Sequence, residues 1–141
     1  MRVLGLDLGE RRVGVALSDA LGITAQPLMV LTRKGLEADL ETICALITKH
    51  QVEMLVVGLP LTLRGEQGMQ VQRVKSFIAA LQQRITVPVH VIDERLTTVQ
   101  GERALRESGV SHQKRKQVID QVAAQLILQQ FLDKQRPMSL P

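Results

Sequence analysis

Two strand-like segments lie only three residues apart near the start of the chain, and this spacing strongly constrains the fold. They cover residues 2–8 and 12–18, with Gly9, Glu10 and Arg11 between them. So short a connection favours an antiparallel hairpin. The first segment is apolar except for Asp7, which predicts a buried strand with a carboxylate in it. Because removing an isolated charge from water costs several kcal/mol or more, we expect a cation or a proton to accompany Asp7.

The later segments alternate between strand and helix patterns. In chain order the predicted elements are strands at 2–8, 12–18 and 28–32, a helix at 35–50, a strand at 52–57, a helix around 71–81, a strand at 87–92, and helices at 97–108 and 112–134. Thr97 and Gln100 fit a capping box for the helix at 97–108. The order βββαβαβαα predicts an α/β fold with a five-stranded mixed sheet, a three-stranded antiparallel meander plus two parallel strands, flanked by helices. In such sheets ligands gather at the carboxyl ends of the parallel strands.

Length and composition fit one soluble domain. The 141 residues are 45% apolar and 23% charged, so we predict a single domain over 1–134 and a flexible tail over 135–141. No stretch has the length and apolar character of a membrane span, and the N-terminus lacks the layout of a signal peptide. The single cysteine, Cys44, cannot form an internal disulfide, which favours a reducing, cytoplasmic location.

The charge balance favours a polyanionic partner. The formal net charge is +4 and the isoelectric point about 9.7, which is typical of many nucleic-acid-binding proteins. The chain has no Trp, no Tyr and only two Phe, so it lacks the aromatic platforms on which single-stranded bases stack. We therefore expect any contact with nucleic acid to be made through phosphates and shape.

Acidic residues stand out at three places in the pattern. Asp7 lies late in the first strand, Asp93 and Glu94 end the fifth strand, and Asp120 lies in the last helix. Asp120 shares a helical stripe with three apolar residues, Ala123, Ile127 and Phe131, so this face should pack on the sheet. The acids could then converge, and divalent cations would relieve their repulsion, since Mg²⁺ prefers carboxylate oxygens. Two such ions about 3.5–4 Å apart form the clamp used for phosphodiester hydrolysis.

Each acid also has a purely structural interpretation. Asp7 could cap the turn at Gly9, and Asp93-Glu94 could cap the next helix or pair with Arg95. Strand alternation alone cannot choose between Asp93 and Glu94, because they point to opposite faces. Asp120 could form an i−4 ion pair with Lys116. Asp19 and Asp39 are interpreted as a turn residue and a residue on a solvated helix face.

Four ordered blocks of residues resemble the YqgF (RuvX) family. They are Asp7 to Ala16 (DLGERRVGVA), Val57 to Leu61 (VGLPL), Asp93 to Thr98 (DERLTT), and Lys116 to Asp120 (KQVID) followed by Ala123-Ala124. The resemblance extends from Met1 to about Leu132. This family is similar to the Holliday junction resolvase RuvC within the RNase H-like fold.

The resemblance implies a metal-dependent nuclease that uses Mg²⁺ or Mn²⁺, with two ions expected. Members are linked to maturation of the 5′ end of pre-16S ribosomal RNA, and some to junction resolution. Carried over to this sequence, the catalytic and metal-binding acids are Asp7, Glu94 and Asp120. Many members have Asn and Asp in the loop after Gly-Leu-Pro-Leu, where this chain has Thr62 and Arg64, so the substrate contacts of that loop are left open.

Basic residues flank the same blocks and could line a track for the phosphate backbone. The candidates are Arg11, Arg12, Arg64, Arg95, Lys114, Arg115 and Lys116. The alternative is a solvated charged face. The run Lys114-Arg115-Lys116 lies about one helical turn before Asp120, which favours a contact with the substrate backbone.

Two other functions compete with a nuclease. The pattern from Asp7 to Ala16 is similar to the first phosphate loop of actin-like and sugar-kinase ATP-binding domains, but that fold needs two related domains, for which 141 residues leave no room. A non-catalytic factor on ribosomal RNA or a repair complex would need the basic surface without the acids. The sequence leaves open RNA or DNA as substrate, endo- or exonuclease mode, the cleavage site, and a monomer or a homodimer.

Overall fold

The computed structural model describes residues 1–59, 68–93 and 112–135, with side chains from 122 onward in the last range. Its elements are β1 (Val3–Leu8), β2 (Arg12–Ser18), β3 (Ala25–Thr32), α1 (Leu36–Lys49), β4 (Met54–Leu59), α2 (Met69–Gln82), β5 (Val89–Asp93) and α3 (His112–Gln135). The helix predicted at 97–108, its capping box, and the tail after Gln135 lie outside the described residues. The last helix ends one residue beyond its predicted end at 134.

The five strands form one mixed sheet in the order β3-β2-β1-β4-β5. The strands β1, β2 and β3 form the antiparallel meander, while β4 and β5 extend the sheet in parallel from β1. This arrangement confirms the predicted α/β fold with a meander and two parallel strands. It also places β1 at the centre, where every one of its residues is buried.

Alternation along β1 divides the core into two layers. Leu4, Leu6 and Leu8 pack with residues of α1 and α2 on one face. Val3 and Gly5 lie on the other face, where α3 packs. A strand covered on both faces must be apolar throughout, which explains why β1 is an almost unbroken hydrophobic run.

The apolar stripe predicted for the last helix is confirmed. Ala123, Ile127 and Phe131 are 2%, 0% and 7% exposed and belong to the core layer between α3 and the sheet. None of the described helices combines the length and the apolar character that a membrane span requires.

The third strand begins three residues earlier than its predicted start at Leu28. It starts at Ala25 and contains Pro27, which pairs with Ala16 next to a register shift between Val15 and Ala16. Proline cannot donate a ladder hydrogen bond, but β3 is an edge strand and its pairing skips Leu28 next to Pro27, and at such an irregular edge position that loss is tolerated. The expectation that the strand follows Pro27 was therefore wrong.

Asp19 organises the turn between β2 and β3, as the sequence predicted for a turn residue. Its Oδ1 accepts hydrogen bonds from the amides of Ile23 at 2.7 Å and Thr24 at 3.1 Å. These two bonds favour the charged carboxylate and hold the pKa of Asp19 below its ordinary value of 3.8.

This lowered pKa predicts a contribution to acid stability. A carboxyl whose folded pKa is depressed stabilises the fold above its unfolded pKa, and the contribution is lost as the pH falls through the folded value. Asp19→Asn should therefore show a shallower loss of unfolding free energy below about pH 4 than wild type. Denaturant titrations between pH 2 and 7 measure this, and identical acid slopes in the two proteins would contradict it.

Candidate functional site

Asp7 lies near the carboxyl end of the central strand and is only 4% exposed. Alternation places it on the same face as Val3 and Gly5, the face on which α3 packs. The predicted buried strand with a carboxylate in it is confirmed. The acid sits where ligands of such a sheet are expected, because β1, β4 and β5 are parallel and end at the same edge.

Glycines flank Asp7 on both neighbouring strands. On β2 its partner is Gly14. On β4 the register runs from Leu6 beside Val57, so the next position beside Asp7 is Gly58. Neighbouring strands are about 4.8 Å apart, so a side chain at either position would stand against the carboxylate. The two glycines therefore place no side chain beside Asp7 on either neighbouring strand.

The direction of α3 follows from its contacts with the edge strand. Gln129 accepts a hydrogen bond from the amide of Ala25 and donates one to the carbonyl of Ile23. Gln125, one turn earlier, donates to the carbonyl of Ala25. Moving back along the helix therefore means moving forward along β3, which runs in the same direction as β1. Consequently α3 is antiparallel to β1. The earlier residues of α3 lie toward the carboxyl end of β1, where Asp7 is.

The end of β5 reveals which face each of its residues occupies. Ile92 belongs to the core layer beneath α3, and the ring of His90 lies 5.4 Å from that of Phe131 in α3. Val89 packs in the opposite layer. Even-numbered positions of β5 therefore face α3, and Asp93, the last residue of the strand, lies on the opposite parity.

Several predicted site residues lie outside the described side chains. Among the acids, Glu94 lies outside the described residues and Asp120 lies in the part of α3 whose side chains are not described. Thr62, Arg64 and Arg95 also lie outside the described residues. Lys114, Arg115 and Lys116 lie in the same part of α3 as Asp120. Across the side chains described in 1–59, 68–93 and 122–135, no three His, Cys, Asp or Glu come together.

The two arginines of the first block are described and differ in position. Arg12, the first residue of β2, has the parity of Gly14 and Ala16 and so shares the face of Asp7. Arg11 is exposed in the turn between β1 and β2, where its carbonyl accepts a hydrogen bond from the amide of Arg33 at 2.8 Å. Arg12 is therefore the described arginine closest in register to the carboxylate.

The turn between β1 and β2 is tightly closed. The amide of Gly9 donates to the carbonyl of Arg12 at 2.9 Å, and a Cβ on Gly9 would come within 2.8 Å of that oxygen. Only glycine fits there, because the neighbouring atom belongs to the backbone and cannot rotate away.

A buried ion pair supports this turn, and the sequence analysis missed it. Asp39 is 1% exposed and not on a solvated helix face, so that interpretation was wrong. Its carboxylate lies 3.4 Å from Nε of Arg33 and accepts a bond from the amide of Lys34 at 3.0 Å. The spacing offered a signal, since Asp39 lies four residues before the buried Ile43 and so shares its stripe.

The donors present fit a hard divalent cation. A buried carboxylate flanked by glycines on both neighbouring strands supplies the oxygen ligand that Mg²⁺ and Mn²⁺ prefer. Zinc sites commonly use thiolate ligands, and the single cysteine, Cys44 of α1, packs in the opposite layer.

Comparison with known proteins identifies the family of the chain. A family model described as "RuvX: Holliday junction resolvase" matches residues 1–134. A protein of Halothermothrix orenii named "Putative pre-16S rRNA nuclease" is 50% identical over 138 residues, covering 98% of this chain and 99% of its own. One of the same name from Natranaerobius thermophilus is 47% identical over 135 residues, covering 96% of both chains.

A solved structure gives the same fold. The RuvC protein of T. thermophilus, solved in complex with a Holliday junction substrate, aligns with a TM-score of 0.55 at 17% identity and covers 95% of this chain and 94% of its own. At that identity the likeness shows the fold alone, and it confirms the predicted RNase H-like architecture.

Proposed function

Because the chain belongs to the RuvX family, we propose that it is a metal-dependent nuclease that hydrolyses phosphodiester bonds during maturation of the 5′ end of pre-16S ribosomal RNA. The observation that carries the proposal is Asp7, a buried carboxylate at the carboxyl end of the central strand, with Gly14 paired beside it. We assign the activity to a single domain over residues 1–134.

The direction of α3 supports Asp120 as a second ligand. The carbonyl of Ala124 would lie 3.3 Å from a Cβ on Gly5, so helix and strand touch there. From that point Asp7 lies two residues along β1, about 6.6 Å, and Asp120 lies four residues back along α3, about 6 Å. Since the helix and the strand are antiparallel, both displacements run toward the carboxyl end of β1.

Strand parity supports Glu94 rather than Asp93 as the third ligand. His90 and Ile92 of β5 face α3. Continuing this alternation gives the α3 face, which Asp7 occupies, to position 94 and the opposite face to position 93. The proposal therefore favours Glu94, a choice that the sequence pattern alone left open.

In this proposal Asp7, Glu94 and Asp120 hold two Mg²⁺ or Mn²⁺ ions. When bound, such ions supply activation of the attacking water and stabilisation of the leaving oxygen. The protein's own part is to fix three carboxylates on elements packed into the core. Rigid strands and a packed helix hold such groups more accurately than loops do.

Basic residues then orient the phosphate backbone. Arg12 is the described candidate with the strongest support, because it lies on the face of Asp7 two positions from Gly14. Arginine suits this role, since its planar guanidinium can bind two phosphate oxygens. The remaining proposed contacts come from Arg11, Arg64, Arg95, Lys114, Arg115 and Lys116.

A branched DNA substrate is the second candidate, since the matching family model is described as a Holliday junction resolvase. Purified protein should be incubated with a fragment spanning the 5′ end of 16S precursor RNA and, in parallel, with a four-way DNA junction, each with Mg²⁺ or EDTA. We expect Mg²⁺-dependent cleavage of the RNA. Cleavage of the junction alone would support the second candidate. Binding without cleavage of either substrate would overturn the nuclease proposal in favour of a non-catalytic factor.

A further inference from the structure

Arg33 contacts the turn between β1 and β2 twice. Its Nη1 donates to the carbonyl of Gly9 at 2.9 Å, and its backbone amide donates to the carbonyl of Arg11 at 2.8 Å. These bonds join the residue that follows β3 to both ends of the three-residue turn. The backbone bond would survive any substitution, whereas the bond to Gly9 depends on the guanidinium.

Both helices of the opposite layer hold this guanidinium in place. Asp39 of α1 lies 3.4 Å from Nε, and the ring of Phe77 of α2 lies 5.4 Å from Cζ. The Arg33 side chain is 25% exposed and that of Asp39 only 2%, so the pair is largely shielded from water. An arginine held by a buried carboxylate and an aromatic face has little freedom to move.

A second ion pair at the turn is much weaker. Arg73 of α2 lies 3.1 Å from Glu10, but the two side chains are 56% and 70% exposed. Exposed pairs of this kind contribute little to stability. Arg33 is therefore the stronger of these two side-chain links between the turn and the helices.

We propose that Arg33 is a positioning residue for the nuclease site, an inference that rests on the proposed function. The turn that Arg33 holds connects Asp7, two residues before Gly9, to Arg12, the residue after Arg11. Both side chains lie on the α3 face of the sheet, whereas Arg33 acts from the opposite face. By fixing the carbonyl of Gly9, Arg33 sets the separation between the metal-binding carboxylate and the phosphate-binding arginine. A displacement of about 1 Å between reacting groups can lower a rate about a hundredfold.

The test must separate positioning from stability. Arg33→Gln alone leaves the buried Asp39 carboxylate without its cation, which is strongly destabilising. The double variant Arg33→Gln/Asp39→Asn removes both charges, and the amide oxygen introduced at position 39 can still accept the bond from Lys34. Arg84→Gln is the matched control, because Arg84, two residues after the end of α2, also forms an ion pair with α1, through Glu37, yet makes no contact with the turn between β1 and β2.

The measurements are steady-state cleavage of the precursor RNA, thermal melting, and hydrogen exchange of the Gly9 amide. We expect the double variant to melt near wild type, with kcat lowered at least about tenfold, KM changed less than twofold, and faster exchange at Gly9. Arg84→Gln should keep wild-type kcat. Unchanged kcat or unchanged Gly9 exchange in the double variant would overturn the positioning role. A wild-type protein that cleaves neither RNA nor junction would instead overturn the proposed function.

Discussion

Asp7→Asn should lower Mg²⁺-dependent cleavage by roughly 10²- to 10³-fold, equivalent to about 2.7–4 kcal/mol of transition-state stabilisation. Asparagine has nearly the same size as aspartate, so the change removes the charge without opening a cavity in the buried site. The other proposed ligands, Glu94 and Asp120, already contribute their own charges to the metal site. Neither can therefore replace the negative charge lost at position 7. Single-turnover cleavage of the precursor RNA at saturating Mg²⁺ measures the effect.

The same substitution should also separate metal binding from folding. In EDTA Asp7→Asn should melt no lower than wild type, because it relieves repulsion among the proposed carboxylates. Mg²⁺ at about 100 times its dissociation constant should stabilise the wild type by about 2.7 kcal/mol and leave the variant unchanged. Asp19→Asn is the matched control, since Asp19 lies in the β2–β3 turn at the opposite end of the sheet, and it should keep both the cleavage and the response to Mg²⁺. An equal Mg²⁺ response in Asp7→Asn and wild type would argue against Asp7 as a ligand.

Gly5→Ala should destabilise the fold by about 1–3 kcal/mol, and Gly5→Val by more. A Cβ on Gly5 would lie 2.8 Å from Cβ of Leu128 and 3.3 Å from the carbonyl oxygen of Ala124. Neither atom is the far end of a flexible side chain, so α3 itself must move away from the sheet. Because Asp120 is on α3, the displacement should also lower cleavage in the fraction that remains folded.

Gly68→Ala is the matched control for this prediction. Gly68 precedes α2 in an extended conformation, and an added Cβ there meets no atom within 4 Å. The same change should alter stability by less than about 1 kcal/mol, because the lower entropy of the unfolded chain offsets the poorer preference of alanine for the N-cap position. Urea unfolding of both variants provides the comparison. A Gly5→Val protein as stable as wild type would show that α3 does not pack on β1 as described.

The spacing of apolar residues predicted much of this fold, because buried positions are usually occupied by apolar side chains. The run of β1, apolar except for Asp7, predicted a buried strand, and the spacing of Ala123, Ile127 and Phe131 predicted the buried stripe of α3. The extension of β3 through Pro27 was missed, because the tolerance for proline depends on its place at the sheet edge.

The candidate site was harder to predict from the sequence than the fold, since its geometry depends on pairings between distant segments. The sequence identified Asp7 as unusual but could not show that Gly14 and Gly58 border it, which depends on strand register. Likewise, the proposal of Glu94 rather than Asp93 rests on the contact of His90 with Phe131, which no sequence pattern indicates. The link from Asp39 through Arg33 to the turn was missed, because the spacing of Asp39 before Ile43 could indicate its burial but not its partner.

A crystal of the protein grown with Mn²⁺ would test the metal site most directly. Mn²⁺ scatters anomalously, so its position can be read without reference to the protein atoms. The proposal predicts one or two anomalous peaks at the carboxyl end of β1, within about 2.3 Å of carboxylate oxygens of Asp7, Glu94 and Asp120. Ordered crystals at saturating Mn²⁺ with no peak beside Asp7, or with the ions bound by other residues, would contradict it.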